Sequence, residues 1–140
     1  MILVDTNVWS EATKREPSAL VRAWAHRHQD QLWLSAVVLA ELRGGAALLP
    51  MGRRRRDLEQ QFDRLEQDHA DRLLPFDAAT ARNYGLVLES SKRLGKPTST
   101  ADAMIAATAL QYGMAVATRD LGDFAGAEVE LINPWAAPTS

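Results

Sequence analysis

Four acidic side chains stand where a chain of alternating strands and helices presents groups to a ligand: Asp5, Glu41, Asp102 and Asp120. Asp5 directly follows the apolar run Ile2-Leu3-Val4, and Asp120 follows the run Ala115–Thr118. Glu41 falls on a helix expected after Leu32-Trp33-Leu34, with Leu39, Ala40 and Leu42 around it. Asp102 falls in the first turn of an alanine-rich helix that can aim this turn at the same edge. Two carboxylates about 5 Å apart repel by roughly 3 kcal/mol at an effective dielectric near 20, so four together must be protonated or bound to a cation. The chain has no cysteine, and His26 and His28 are too close in sequence to share one helix face. Oxygen-only donors select hard cations, here Mg²⁺ or Mn²⁺.

Each acid taken alone has an ordinary structural reading. Asp5 can begin a turn, Glu41 can face solvent on its helix, and Asp102 can complete a capping box with Ser99. Asp120 and Asp123 fit a turn in Arg119-Asp120-Leu121-Gly122-Asp123-Phe124. The chemistry rests on the set.

The elements that must position this set are marked locally. Ile2–Val4 reads as a strand covered on both faces. Leu32–Leu34 is a second strand, after which Ser35 caps a helix carrying Val38, Leu39 and Leu42, closed by Gly44-Gly45. From Arg53 to about Asp71 a charged helix shows one apolar stripe of Leu58, Phe62 and Leu65. Asp77 caps a helix that runs through Tyr84, Leu88 and Leu94 to Gly95-Lys96-Pro97. Thr98-Ser99-Thr100 precedes the alanine-rich helix, which ends at Tyr112-Gly113. Strands follow at 115–118 and 129–132, and Asn133-Pro134-Trp135 begins a C-terminal tail over 133–140. Strands alternating with helices predict an α/β fold on a mostly parallel sheet, whose ligands bind beyond the carboxyl ends of the strands.

With 140 residues, 46% of them hydrophobic, the chain matches one domain with a sizeable core. No run approaches a membrane span and the start MILVDTN is unlike a signal peptide, so a soluble, cytoplasmic protein is expected. The net charge of −2 leaves nucleic-acid binding to a local cationic patch. Arg53-Arg54-Arg55-Arg56 is such a patch, placed where the helix dipole disfavours cations; the alternative is a solvated face balanced by Asp57 and Glu59. Arg43 and Arg119, beside the acids in sequence, are further phosphate contacts. Trp9, Trp24, Trp33 and Trp135 fit core or interface positions better than base-stacking platforms, with Trp9 expected at an interface.

Val4-Asp5-Thr6-Asn7, Leu39-Ala40-Glu41-Leu42, Thr100-Ala101-Asp102-Ala103-Met104-Ile105-Ala106 and Thr118-Arg119-Asp120 with Asp123-Phe124 together resemble the PIN-domain family. The likeness spans nearly the whole chain, includes Ile132-Asn133-Pro134-Trp135, and is nearest to toxins of the VapC and FitB type. It implies a three-layer α/β fold and Mg²⁺-dependent cleavage of RNA. It also implies a homodimer, and inhibition by a small antitoxin that binds operator DNA. Asp5, Glu41 and Asp102 match the family's first three acids, and Thr6 its hydroxyl beside the first. Either Asp120 or Asp123 supplies the fourth, with Asp120 nearer the strand end and Thr118 and Asn7 in support.

The expected chemistry places one or two Mg²⁺ ions on Asp5, Asp102 and Asp120, with Glu41 orienting or deprotonating the attacking water. A phospho-receiver reading, which needs paired acids there and a lysine after a late strand, is poor because the only lysines are Lys14, Lys92 and Lys96, and a haloacid-dehalogenase-like reading fails because Asn7 stands where a second acid is needed. The rival from another class is a binding module that keeps the acids for metal or partner contact without turnover.

Overall fold

A computed structural model describes residues 1–138 of the chain. Five strands form its sheet: β1 (Ile2–Val4), β2 (Leu32–Ser35), β3 (Leu73–Leu74), β4 (Ala115–Ala117) and β5 (Leu131–Ile132). All pairings are parallel, in the order β3-β2-β1-β4-β5. Six helices accompany them: α1 (Thr6–Glu11), α2 (Ala19–Arg27), α3 (Ala36–Ala47), α4 (Arg53–Asp68), α5 (Ala78–Leu94) and α6 (Thr100–Tyr112). The expected α/β fold on a parallel sheet is the one observed.

Side-chain alternation along the strands creates two cores and hence three layers. Leu3, Leu34 and Val116 point to one face, where Val38, Leu42, Phe62, Val87 and Ile105 from α3 to α6 cover them. Ile2, Val4, Leu32 and Ala117 point to the other, covered by Val8 of α1 and Val21 and Trp24 of α2. Burial on both faces explains why β1 is apolar at every position. Each fully buried aliphatic side chain contributes about 1.5–3 kcal/mol, so β1 is a rigid mount for the residue that follows it.

Most helix ends follow their sequence signals. Ser35, Asp77 and Ser99 cap α3, α5 and α6 through their side chains, and Gly95 and Gly113 close α5 and α6 in the left-handed conformation. One signal is overridden. Gly44 and Gly45 do not end α3, which continues to Ala47. Ala46 lies one turn beyond Leu42 and both are buried in the main core, so packing outweighs the poor helix propensity of two glycines. The last strand is also shorter than expected, because only Leu131–Ile132 pairs with β4. Of the expected tail, Pro134 is buried, while 139 and 140 lie outside the described residues.

The sheet order has a functional consequence. The chain steps from β1 outward through β2 and β3, then returns across the sheet to β4 and β5 on the other side of β1. Between β1 and β4 the winding reverses, and a crevice opens there beyond the carboxyl ends of the strands.

Glycine substitutions test the packing. Gly44 is exposed, and a Cβ added there would stand in open space, so Gly44→Ala should stabilise by roughly 0.5–1 kcal/mol. At Gly126 a Cβ would meet the Cα of Ser91 at 2.8 Å, so Gly126→Ala should destabilise by about 1–3 kcal/mol. Urea denaturation that moved both midpoints the same way would contradict this packing.

Candidate active site

The crevice is a cleft of about 370 Å³ at the switch between β1 and β4, and Asp5, Glu41, Asp102 and Asp120 all line it. Asp5 extends β1 by donating its backbone N–H to Ala117 at 2.9 Å, then caps α1. The residue is only 5% exposed, and its carboxylate is held at both oxygens. One accepts from the backbone N–H of Thr6 and the other from the Thr118 hydroxyl, each at 2.8 Å. A single buried acid therefore joins the ends of β1 and β4.

The neighbouring side chains are fixed in turn. The Thr6 hydroxyl donates to Glu41 at 2.5 Å, tying α3 to the start of α1. Asn7 donates from Nδ2 to Asp120 at 3.0 Å and accepts at Oδ1 from the Arg119 backbone N–H at 3.3 Å. The Asp120 N–H donates to the Thr118 hydroxyl at 3.0 Å. Asp102 sits in the first turn of α6, where its N–H donates to the capping Ser99 at 3.1 Å.

Burial and the charges of neighbouring acids disturb Asp5 and Asp102. Loss of hydration raises the Asp5 carboxyl from 3.8 to about 6, against the lowering effect of its bonds from Thr118 and Thr6, with Asp102 and Glu41 adding repulsion. Asp102 is raised for the same leading reason, opposed by Ser99 and reinforced by the charges of Asp123, Glu41 and Asp120. Asp123 does not line the cleft, but its charge is felt by Asp102 from the turn at Leu121–Phe124.

The donor set is hard oxygen, which fits a hard divalent ion in type. Among the described residues, no three acids or histidines stand close enough to form a ready-made cage. Any ion here would complete its shell mainly with water, as Mg²⁺ does when one or two carboxylates hold it.

The arginines named from sequence lie in different places. Arg119 lines the cleft. Arg43 instead bridges to Asp63 and Glu66 of α4, 2.9 Å from each. None of Arg53, Arg54, Arg55 and Arg56 lines the cleft, and Arg55 pairs with Glu59 at 2.8 Å. Trp9 lies away from the acids, packed edge-on against His69 with ring centroids 5.1 Å apart. Sequence reasoning missed Ser10, Glu11, Lys14 and Trp135 as cleft residues. The available signal was the spacing Asn7, Ser10, Glu11, Lys14, one face of a helical turn starting at Thr6.

Comparison with known proteins bears directly on this arrangement. The family model described as PIN domain matches residues 2–128. The chain belongs to the PIN-domain family. Among its relatives is the VapC ribonuclease Y4jK of Sinorhizobium fredii, 44% identical over 137 residues, covering 96% of this chain and 98% of that one. Toxin FitB of Neisseria gonorrhoeae is 44% identical over 140 residues, covering 96% and 99%. A solved structure of FitAB bound to an IR36 DNA fragment superimposes with a TM-score of 0.92 at 40% identity, covering 99% of both chains.

In this PIN domain the raised Asp5 has a stability consequence. The folded state binds the Asp5 proton more tightly than the unfolded chain between pH 3.8 and about 6, so stability falls as pH rises through that window. Above it the ionised Asp5 destabilises the metal-free fold by about 3 kcal/mol. Asp5→Asn should therefore raise the melting temperature in EDTA by several degrees at pH 7.5 and hardly at all at pH 4. A lower melting temperature for the variant at pH 7.5 would contradict this reading of the site.

Proposed function

We propose that this PIN domain is a metal-dependent endoribonuclease that acts as the toxin of a VapBC-type toxin–antitoxin pair. The observation that carries this is the buried Asp5, bonded at both carboxylate oxygens at the β1/β4 switch, with Glu41, Asp102 and Asp120 lining the same cleft. Support from relatives is their naming as a VapC ribonuclease and as a toxin.

Asp5, Asp102 and Asp120 would hold one or two Mg²⁺ or Mn²⁺ ions, with Asp123 reinforcing the negative field around Asp102. The ion, when bound, supplies charge neutralisation at the phosphate and a lowered pKa for water. Glu41, steadied by Thr6, accepts the proton of the attacking water. Thr118 and the Thr6 N–H keep Asp5 in place, and Asn7 does so for Asp120. Water adds to phosphorus as the bond to the 3′ oxygen breaks, and that oxygen takes a proton from solvent, leaving a 5′-phosphate and a 3′-hydroxyl. No protein nucleophile takes part.

The partner expected for such a toxin is a small antitoxin with a DNA-binding domain, in keeping with the relative solved as FitAB on DNA. A homodimer working on cytoplasmic RNA is the expected setting. Among the described residues no helix is long and apolar enough to cross a membrane.

Two measurements test the proposal. Mg²⁺ or Mn²⁺ at about 100 times its dissociation constant should stabilise the wild type by roughly 2.7 kcal/mol, and this shift should vanish in Asp5→Asn. Separately, labelled total RNA should be cut by wild type in Mg²⁺, and left intact in EDTA or by Asp5→Asn. Folded wild type, free of any antitoxin, that gains the metal shift and cuts no RNA would favour the binding-module reading.

A further inference from the structure

We propose that Lys14 and Arg119 form a two-point phosphate grip on one wall of the cleft, with buried Glu11 positioning Lys14 and Trp135 positioning Arg119. This rests on the ribonuclease reading above and adds how a polyanion is held beside an acidic centre. Among the described residues lining the cleft, Lys14 and Arg119 are the only cations, set against five acids. RNA entering this cleft meets repulsion unless these two cations receive its backbone.

Both are held in place. Lys14 follows the end of α1, where its backbone N–H donates to the Glu11 carbonyl at 3.2 Å. Its ammonium lies 2.9 Å from Glu11 Oε1, with the Lys14 side chain 55% exposed and that of Glu11 only 5%. The second Glu11 oxygen accepts from the Ser18 N–H at 3.0 Å, so the carboxylate is fixed. These two bonds hold Glu11 below the usual carboxylate range, with a smaller contribution from the charge of Arg119. An ammonium has three N–H donors, and Glu11 uses one. The others remain for a phosphate.

Arg119 is anchored differently. Its guanidinium carbon lies 4.9 Å from the centroid of the Trp135 ring, a cation–π contact that holds the group beside the cleft. The Trp135 backbone is itself held where its main-chain N–H donates to Asn133 Oδ1 at 3.0 Å. The grip also has a continuation. Arg54 donates to the carbonyl of Thr13 at 3.4 Å, so the arginine-rich start of α4 adjoins the loop that carries Lys14.

The test uses the full chain in the inactive Asp5→Asn background, with Mg²⁺ and a fluorescein-labelled single-stranded RNA of mixed sequence, read by anisotropy across a salt series. Lys14→Gln keeps a bond to Glu11 and removes the charge. It and Arg119→Gln should each weaken binding by roughly tenfold and flatten the slope of log K against log salt by about 0.7, while Lys14→Arg keeps the slope. In a double-mutant cycle, Lys14→Gln should cost clearly less affinity in the Glu11→Gln background than in the Glu11 chain, a non-additivity that a purely structural Glu11 would not give. Wild-type slope and affinity in Lys14→Gln and Arg119→Gln would overturn the grip, whether or not their melting temperatures fall. If wild type cleaves RNA in a parallel assay, that failure belongs to the grip alone. Absence of both cleavage and binding would overturn the ribonuclease reading and the grip with it.

Discussion

Asp5 is bonded at one oxygen to the backbone that opens α1 and at the other to the hydroxyl that ends β4. Its carboxylate is thereby removed from water at the point where the sheet reverses its winding. An isolated buried carboxylate is expensive, and near-neutral proton affinity is the sign of that expense. Everything around it follows from holding this group still. Apolar cover on both faces fixes β1, Thr118 is fully buried, and the crossing from β3 to β4 brings Asp120 to the same edge.

The cleft is arranged as a charge problem left open on one side. The protein supplies hydrogen bonds that orient Asp5, Glu41 and Asp120 individually, and leaves their mutual repulsion unrelieved. A cation bound at this site would relieve that repulsion. The separation of its acids suits an ion that retains water, which is also the reagent for hydrolysis. The same cleft carries two cations, Lys14 paired with Glu11 and Arg119 against Trp135.

Much of this was legible in the residues because the signals are local. The all-apolar Ile2–Val4 announced a doubly covered strand, and Asp77, Ser99, Gly95 and Gly113 announced helix ends that the structure keeps. The positions of Asp5 and Asp120 followed from strand ends alone. What escaped depended on contacts between distant parts. Helix α1 has six residues, too few for a full periodic pattern, so the spacing of Asn7, Ser10, Glu11 and Lys14 was only a faint signal of a shared face. Strand β3 has two residues and exists through its pairing with β2. Gly44-Gly45 reads as a stop until Ala46 is seen to be buried against the core. Arg43 stands two residues from Glu41, yet a helix turns it towards Asp63 and Glu66.

The central claim is that oriented carboxylates and a hydrated ion activate water, with no participation by the RNA itself. The most direct measurement replaces the ribose at a mapped cleavage position with 2′-deoxyribose and follows cutting in Mg²⁺. Continued cleavage at that position, giving a 5′-phosphate and a 3′-hydroxyl, is the predicted result. Loss of cleavage there, together with a 2′,3′-cyclic phosphate from the unmodified RNA, would show attack by the ribose hydroxyl and contradict the account.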